Sequence, residues 1–78
     1  MLKFKIMRID VRLKELRRQH GITQRVMADY LDVSERAYQH YELGTREPPL
    51  SKAVLLADYF NVSLDYLVGR SDNVGKAD

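Results

Sequence analysis

Cysteine and tryptophan are both missing from this 78-residue chain, which also has only two prolines and four glycines. Without cysteine, neither disulfide bonds nor thiolate metal sites can stabilise so short a domain. This absence is typical of a protein in a reducing compartment, and it weighs against secretion. We therefore expect a cytoplasmic protein whose stability comes from close packing of short helices.

The sequence also lacks long apolar runs and catalytic signatures. No stretch approaches the roughly 20 apolar residues of a membrane-spanning helix, and the N-terminus has no apolar run of signal-peptide length. There is no HExxH, CxxC, GxSxG or glycine-rich phosphate loop, and the two histidines are isolated. We therefore predict one domain with no enzymatic activity, no metal, no cofactor and no membrane contact.

Positive charge is concentrated in the first part of the chain. Residues 1–47 hold ten Lys/Arg and seven Asp/Glu, a net charge of +3, whereas residues 48–78 have a net charge of −1. A basic bias of this kind suits a surface that faces phosphates, although solvated basic helices are common and produce the same bias.

Helix start and stop signals divide the chain into five short helices, so we predict an all-α bundle. The predicted helix starts are Asp10, Thr23, Ser34, about Leu50 and Ser63. Residues 2–6 alternate apolar and basic side chains, which is typical of a short strand. We divide the chain into an N-terminal extension (1–8), a domain (9–70) and a polar tail (71–78).

Only Asp32 and Val33 separate the second helix from the third. Helices joined by so tight a turn must cross steeply, and Ala28 supplies the small side chain that a close crossing requires. The turn needs a residue that tolerates left-handed backbone angles, which Asp32 does more readily than most. This pattern predicts a DNA-binding helix-turn-helix.

The chain resembles the Cro/repressor-type (Xre-like) helix-turn-helix family of phage and bacterial transcriptional regulators, whose fold is lambda-repressor-like. The resemblance covers about residues 9–72. The matching stretches are Arg12-Leu-Lys-Glu-Leu-Arg17, Gly21-Ile-Thr-Gln24, Met27-Ala28, Leu31-Asp-Val-Ser34, Tyr41-Glu-Leu-Gly44, Arg46, Pro49 and residues 56–70. Two departures are Asp32, where the family usually has glycine, and the first seven residues, which have no family counterpart.

The resemblance implies that the third helix lies in the major groove of double-stranded DNA. The residues it places against base edges are Glu35, Arg36 and His40, with Gln39 beside them. The residues it places against phosphates are Gln24, Ser34, Thr45 and Arg46. It also implies a structural ion pair between Arg17 and Glu42. Without the surrounding motif, Glu35 and Arg36 would be read as a solvated surface.

One module of this size makes few base contacts, so we expect a homodimer on a two-fold operator and, as the outcome, repression of transcription. The fourth and fifth helices carry more apolar residues than one core face requires. The dimer candidates are Leu55, Leu64, Tyr66 and Val68. The alternative hypothesis is an antitoxin, or another regulator that sequesters a protein partner on the same fold.

Overall fold

Five α-helices make up the part of the chain that the computed structural model describes, residues 8–75. They are α1 (Ile9–Gln19), α2 (Gln24–Leu31), α3 (Glu35–Leu43), α4 (Leu50–Phe60) and α5 (Leu64–Leu67). The all-α prediction is therefore confirmed. The strand predicted for residues 2–6 lies outside the described residues.

Side-chain caps begin three of the helices where the sequence predicted them. Thr23, Ser34 and Ser63 each accept a hydrogen bond of 2.9–3.1 Å from the backbone N–H three residues later. Such a cap satisfies one of the N–H groups that the first helical turn leaves without a partner. The starts of α2, α3 and α5 are thus fixed by local chemistry.

The predicted start of α1 is wrong, because Asp10 is not its N-cap. Arg8 precedes the helix, and Asp10 lies inside the first turn, only 6% exposed. Its carboxylate accepts hydrogen bonds from Nε of Arg8 at 3.1 Å and from Nη2 at 2.6 Å. A carboxylate is favourable both at an N-cap and in the first turn, since both positions are near the positive end of the helix dipole.

The hydrophobic core lies where α1, α2 and α3 meet α4 and α5. The largest side chains with essentially no exposure are Leu13, Met27, Leu31, Tyr38, Leu56 and Leu67. Each helix contributes at least one of them, so no helix can detach without exposing apolar surface to water. No helix within residues 8–75 combines the length and the apolar composition that crossing a membrane requires.

The turn between α2 and α3 has the predicted geometry. Asp32 adopts a left-handed conformation with φ of 59°, and it ends α2. The backbone N–H of Val33 then donates to the carbonyl of Ala28 at 3.0 Å, and Ala28 itself is buried. This close turn leaves one long face of α3 outside the core.

Candidate nucleic-acid interface

The exposed face of α3 contains the residues that the sequence assigned to base reading. Arg36, Gln39 and His40 are spaced as i, i+3 and i+4 and therefore share one side of the helix. Glu35 and Arg36 are exposed, whereas Gln39 and His40 are half-buried. The opposite side, with Tyr38, lies in the core. The structure thus brings these side chains onto one solvent-facing surface.

Leu43 belongs to the same face, although the sequence interpretation did not single it out. It lies seven residues after Arg36, two helical turns further along the same face, and its side chain is 66% exposed. An apolar side chain on a face that reads bases can contact the methyl group of thymine. The seven-residue spacing from Arg36 was the signal that would have identified it.

The residues assigned to phosphate contacts lie at the helix ends. Ser34 precedes α3, and its Oγ accepts the N–H of Ala37, so its own hydroxyl hydrogen remains free to donate. Gln24 begins α2, where its Nε2 donates to Oε1 of Glu42 at 3.1 Å. Helix N-termini also present unpaired N–H groups to an anion. These two ends can bind a phosphate backbone that passes across them.

Thr45 and Arg46 follow α3. Arg46 is exposed, and no described side chain pairs with it. Thr45 differs, because its Oγ1 lies 2.7 Å from Nδ1 of His40. A residue that the resemblance assigned to phosphate contact therefore forms a hydrogen bond with one that it assigned to base reading.

A buried polar network holds α3 against α1 and α2. Arg17 donates to the two carboxylate oxygens of Glu42, from Nε at 2.6 Å and from Nη2 at 3.1 Å. The hydroxyl of Tyr38 donates to Oε2 at 2.5 Å, and Gln24 donates to Oε1. The predicted pairing of Arg17 with Glu42 is present. No buried side-chain nitrogen or oxygen in the described range lacks a hydrogen bond.

The network shifts the pKa values of its members. Burial raises the pKa of Glu42, but hydrogen bonds from Arg17, Tyr38 and Gln24 outweigh burial, so that pKa lies below its ordinary value. Burial, together with the bond to Glu42, raises the pKa of the Tyr38 phenol. Glu42 is therefore ionised and Tyr38 neutral across the physiological pH range.

The four dimer candidates do not all line one groove. Leu64 and Val68 line an open groove of about 670 Å³ together with Leu50, which is 70% exposed. Leu55 lies on the other flank of α4, where its carbonyl accepts the Tyr30 hydroxyl at 3.1 Å.

Tyr66, the fourth candidate, does not line the groove. Its ring is covered by the guanidinium of Arg12, 3.8 Å from the ring centroid. This contact holds Tyr66 against α1.

The described residues offer donors, acceptors and charge rather than a metal centre. No three His, Cys, Asp or Glu side chains between residues 8 and 75 are placed to bind one metal ion. His20 ends α1, with Nδ1 2.9 Å from the Leu16 carbonyl and its ring packed edge-on against Phe60. These contacts give His20 a structural role at the end of α1.

Comparison with known proteins identifies relatives of this chain. The chain is 38% identical over 64 residues to the transcriptional repressor RstR of the cryptic phage CTXphi of Vibrio cholerae. The match covers 82% of this chain and 57% of RstR. The chain spans about half the length of the curated relatives it matches.

Solved structures share the fold. A transcriptional regulator from Listeria innocua has a TM-score of 0.79 and 31% identity, covering 90% of this chain and 65% of that one. The P22 c2 repressor, crystallised with a synthetic operator, has a TM-score of 0.76 and 23% identity, covering 83% and 98%. The sequence profile of the helix-turn-helix family matches residues 13–67. The protein therefore belongs to the helix-turn-helix family.

Proposed function

We propose that this protein binds a specific double-stranded DNA operator as a homodimer, with α3 in the major groove, and represses transcription. The observation that carries the proposal is the exposed face of α3, which presents Arg36, Gln39 and His40 on one side of the helix, directly after the capped N-terminus at Ser34. The protein acts in the cytoplasm by occupying DNA, and no catalytic step is part of this role.

The chemistry of α3 suits base reading. Arg36 can donate two hydrogen bonds to guanine O6 and N7, the commonest specific contact in the major groove. Glu35 can accept from the amino group of cytosine or orient Arg36. Neither side chain has an intramolecular ion pair among the described residues, so both are available to DNA.

Phosphate contacts from the helix ends would hold α3 at a fixed depth and register. Gln24 and Ser34 would donate to the backbone at the N-termini of α2 and α3, and Arg46 would add charge beyond the C-terminus of α3. Because Gln24 is also tied to Glu42, the buried network supports the position of the DNA-facing residues.

Pairing of two copies is best supported at the groove lined by Leu50, Leu64 and Val68. Arg46 lines the same groove, so a contact there would adjoin the DNA backbone. The two α3 helices of such a dimer must lie about 34 Å apart, one turn of DNA, to enter successive major grooves.

Two exposed leucines on α4 provide a matched test of the dimer. Leu50 and Leu55 are separated by about 140° around the helix axis, so one lies at the groove and the other on the opposite flank. We expect Leu50→Glu to sediment as a monomer and Leu55→Glu to remain dimeric. If only Leu55→Glu dissociates into monomers, the interface lies on the other flank of α4.

Selection of bound sites from random DNA tests the function itself. We expect an enriched sequence with two related half-sites whose centres are about 10 base pairs apart. Absence of any enriched sequence would overturn specific DNA binding, and enrichment of a single half-site would overturn the dimer.

RstR is described as a transcriptional repressor, which supports repression as the outcome for this chain. Repression needs no surface that contacts polymerase, because a protein bound over a promoter excludes polymerase by its volume. A reporter gene placed behind the selected operator should therefore fall in expression when this protein is present, and a rise would contradict repression.

A second function, binding of a protein partner, is favoured by the flank of α4 opposite the groove. Tyr30 and Leu55 are about 40% exposed there, and the ring of Tyr30 packs edge-on against Tyr59 at 4.7 Å. If a partner binds this flank, Leu55→Glu should change regulation in cells and leave operator affinity in vitro unchanged. Unchanged regulation in cells would rule out this role.

A further inference from the structure

His40 and Thr45 form a contact at the C-terminal end of α3. Nδ1 of His40 lies 2.7 Å from Oγ1 of Thr45, a full-strength hydrogen bond. This solvent-exposed bond occupies one ring nitrogen, and none of the described residues bonds to the other nitrogen, Nε2. What Nε2 offers to DNA therefore depends on which of the two nitrogens carries the proton.

The neighbouring backbone favours one direction for this bond. The His40 carbonyl already accepts the N–H groups of Gly44 and Thr45, both at 3.1 Å, which occupy its two lone pairs. The Thr45 hydroxyl lies 3.4 Å from that carbonyl oxygen, too far for a good O–H···O bond. Among the described residues, Nδ1 of His40 is therefore the best-placed acceptor for the hydroxyl hydrogen, and it can accept only when it is unprotonated.

We propose that Thr45 is a positioning residue that holds neutral His40 in the tautomer protonated at Nε2, so that α3 presents a hydrogen-bond donor to the DNA. The inference rests on the proposed function and adds a determinant of its specificity. A donor at this position favours base edges that accept, such as guanine O6 and N7 or thymine O4. It disfavours the amino group of cytosine, which the other tautomer would favour.

This role replaces the phosphate contact that the family resemblance implies for Thr45. A hydroxyl has a single hydrogen, and once it is donated to His40 it is not available to a phosphate oxygen. The two roles predict different consequences of removing the hydroxyl. Loss of a positioning residue changes the preference at one base pair, whereas loss of a phosphate contact weakens binding to every sequence.

The tautomer can be measured in the DNA-free protein by the ¹⁵N chemical shifts of the His40 ring, followed with rising pH until they no longer change. We expect a proton on Nε2 in the parent and in Thr45→Ser, which keeps the hydroxyl. In Thr45→Val, which keeps the shape of the side chain but lacks the hydroxyl, we expect a mixture of tautomers. A parent ring protonated at Nδ1, or a Val variant identical to the parent, would overturn the proposal.

Competition binding with single-base variants of the selected operator tests the consequence for specificity. Thr45→Val should reduce discrimination at one base-pair position by about 2- to 10-fold, the value of one hydrogen bond. His40→Ala should lose discrimination at that same position, and Thr45→Ser should retain it. A uniform loss over all sequences with a smaller salt dependence would instead show a phosphate contact and overturn the proposal.

Failure of this inference is distinguishable from failure of the proposed function. If the parent prefers no DNA sequence, the proposed function falls and the base-reading role of His40 falls with it, while the ring shifts still decide the tautomer. If the parent binds a specific operator and Thr45→Val keeps every base preference, only the role of Thr45 is overturned.

Discussion

Arg17 of α1 and Glu42 of α3 form a bidentate ion pair, with distances of 2.6 and 3.1 Å, that spans 25 positions of the sequence. Only 14% of the Arg17 side chain and 2% of the Glu42 side chain are exposed. A third donor of Arg17, Nη1, reaches the Ile22 carbonyl at 2.9 Å, so the pair also fixes the loop before α2. One carboxylate of α3 is thus linked through Arg17 to α1 and to the loop before α2.

Glu42→Gln should destabilise the fold strongly. The amide keeps the shape of the side chain but leaves the Arg17 charge buried without a counter-ion, at a cost of about 3–5 kcal/mol. Chemical denaturation measures the loss. Glu15→Gln, an exposed change on α1, is the matched control and should alter stability little. Equal stability of Glu42→Gln and the parent would show that the pair does not orient α3.

Stability should fall as the pH is lowered below about 4, the ordinary range of carboxylates. Hydrogen bonds hold the pKa of Asp10 and of Glu42 below their ordinary values in the folded protein. The unfolded chain therefore takes up protons first, starting near its ordinary carboxylate pKa of about 4. The contribution of both groups is complete above that pH and is lost as the pH falls through the lower folded values.

Urea unfolding at a series of pH values measures this dependence. In Glu42→Gln the slope of stability against pH should be smaller than in the parent, because one of the two groups no longer titrates. An unchanged slope would mean that Glu42 has the same pKa in the folded and unfolded states.

Substitutions at Asp32 test the turn between α2 and α3. Asp32→Gly should be neutral or stabilising, because glycine adopts a positive φ without steric cost. Asp32→Val should destabilise by about 1–2 kcal/mol, since a β-branched residue resists the left-handed region. Thermal melts compare these variants with Asp29→Val, an exposed change within α2. A Val variant at position 32 as stable as that control would contradict the turn geometry.

Much of the fold could be predicted from local sequence signals. Thr23, Ser34 and Ser63 begin helices because their side chains satisfy nearby N–H groups, and that chemistry needs no distant partner. The left-handed turn at Asp32 is similarly local. The start of α1 was misplaced because Asp10 owes its position to Arg8 as well as to the helix dipole, and an N-cap and a first-turn carboxylate have similar sequence signatures.

The candidate site was predicted less completely. The residues on the face of α3 follow from helical spacing, which also applies to the overlooked Leu43. The two flanks of α4 could not be separated, because the contact of Tyr30 with Leu55 depends on how α2 packs against α4. The bond between His40 and Thr45 depends on the turn after α3, which a helical pattern does not describe.

Binding of the Arg36→Ala and Arg46→Ala variants to the selected operator tests base reading by α3 most directly. Arg36→Ala should cost about 1–3 kcal/mol on the preferred site and relax the preference at one base-pair position. Arg46→Ala should weaken binding to all sequences similarly and reduce its salt dependence. Both side chains are exposed, so both variants should fold. If Arg36→Ala binds the preferred site as tightly as the parent, α3 does not read bases through this face and the account is wrong.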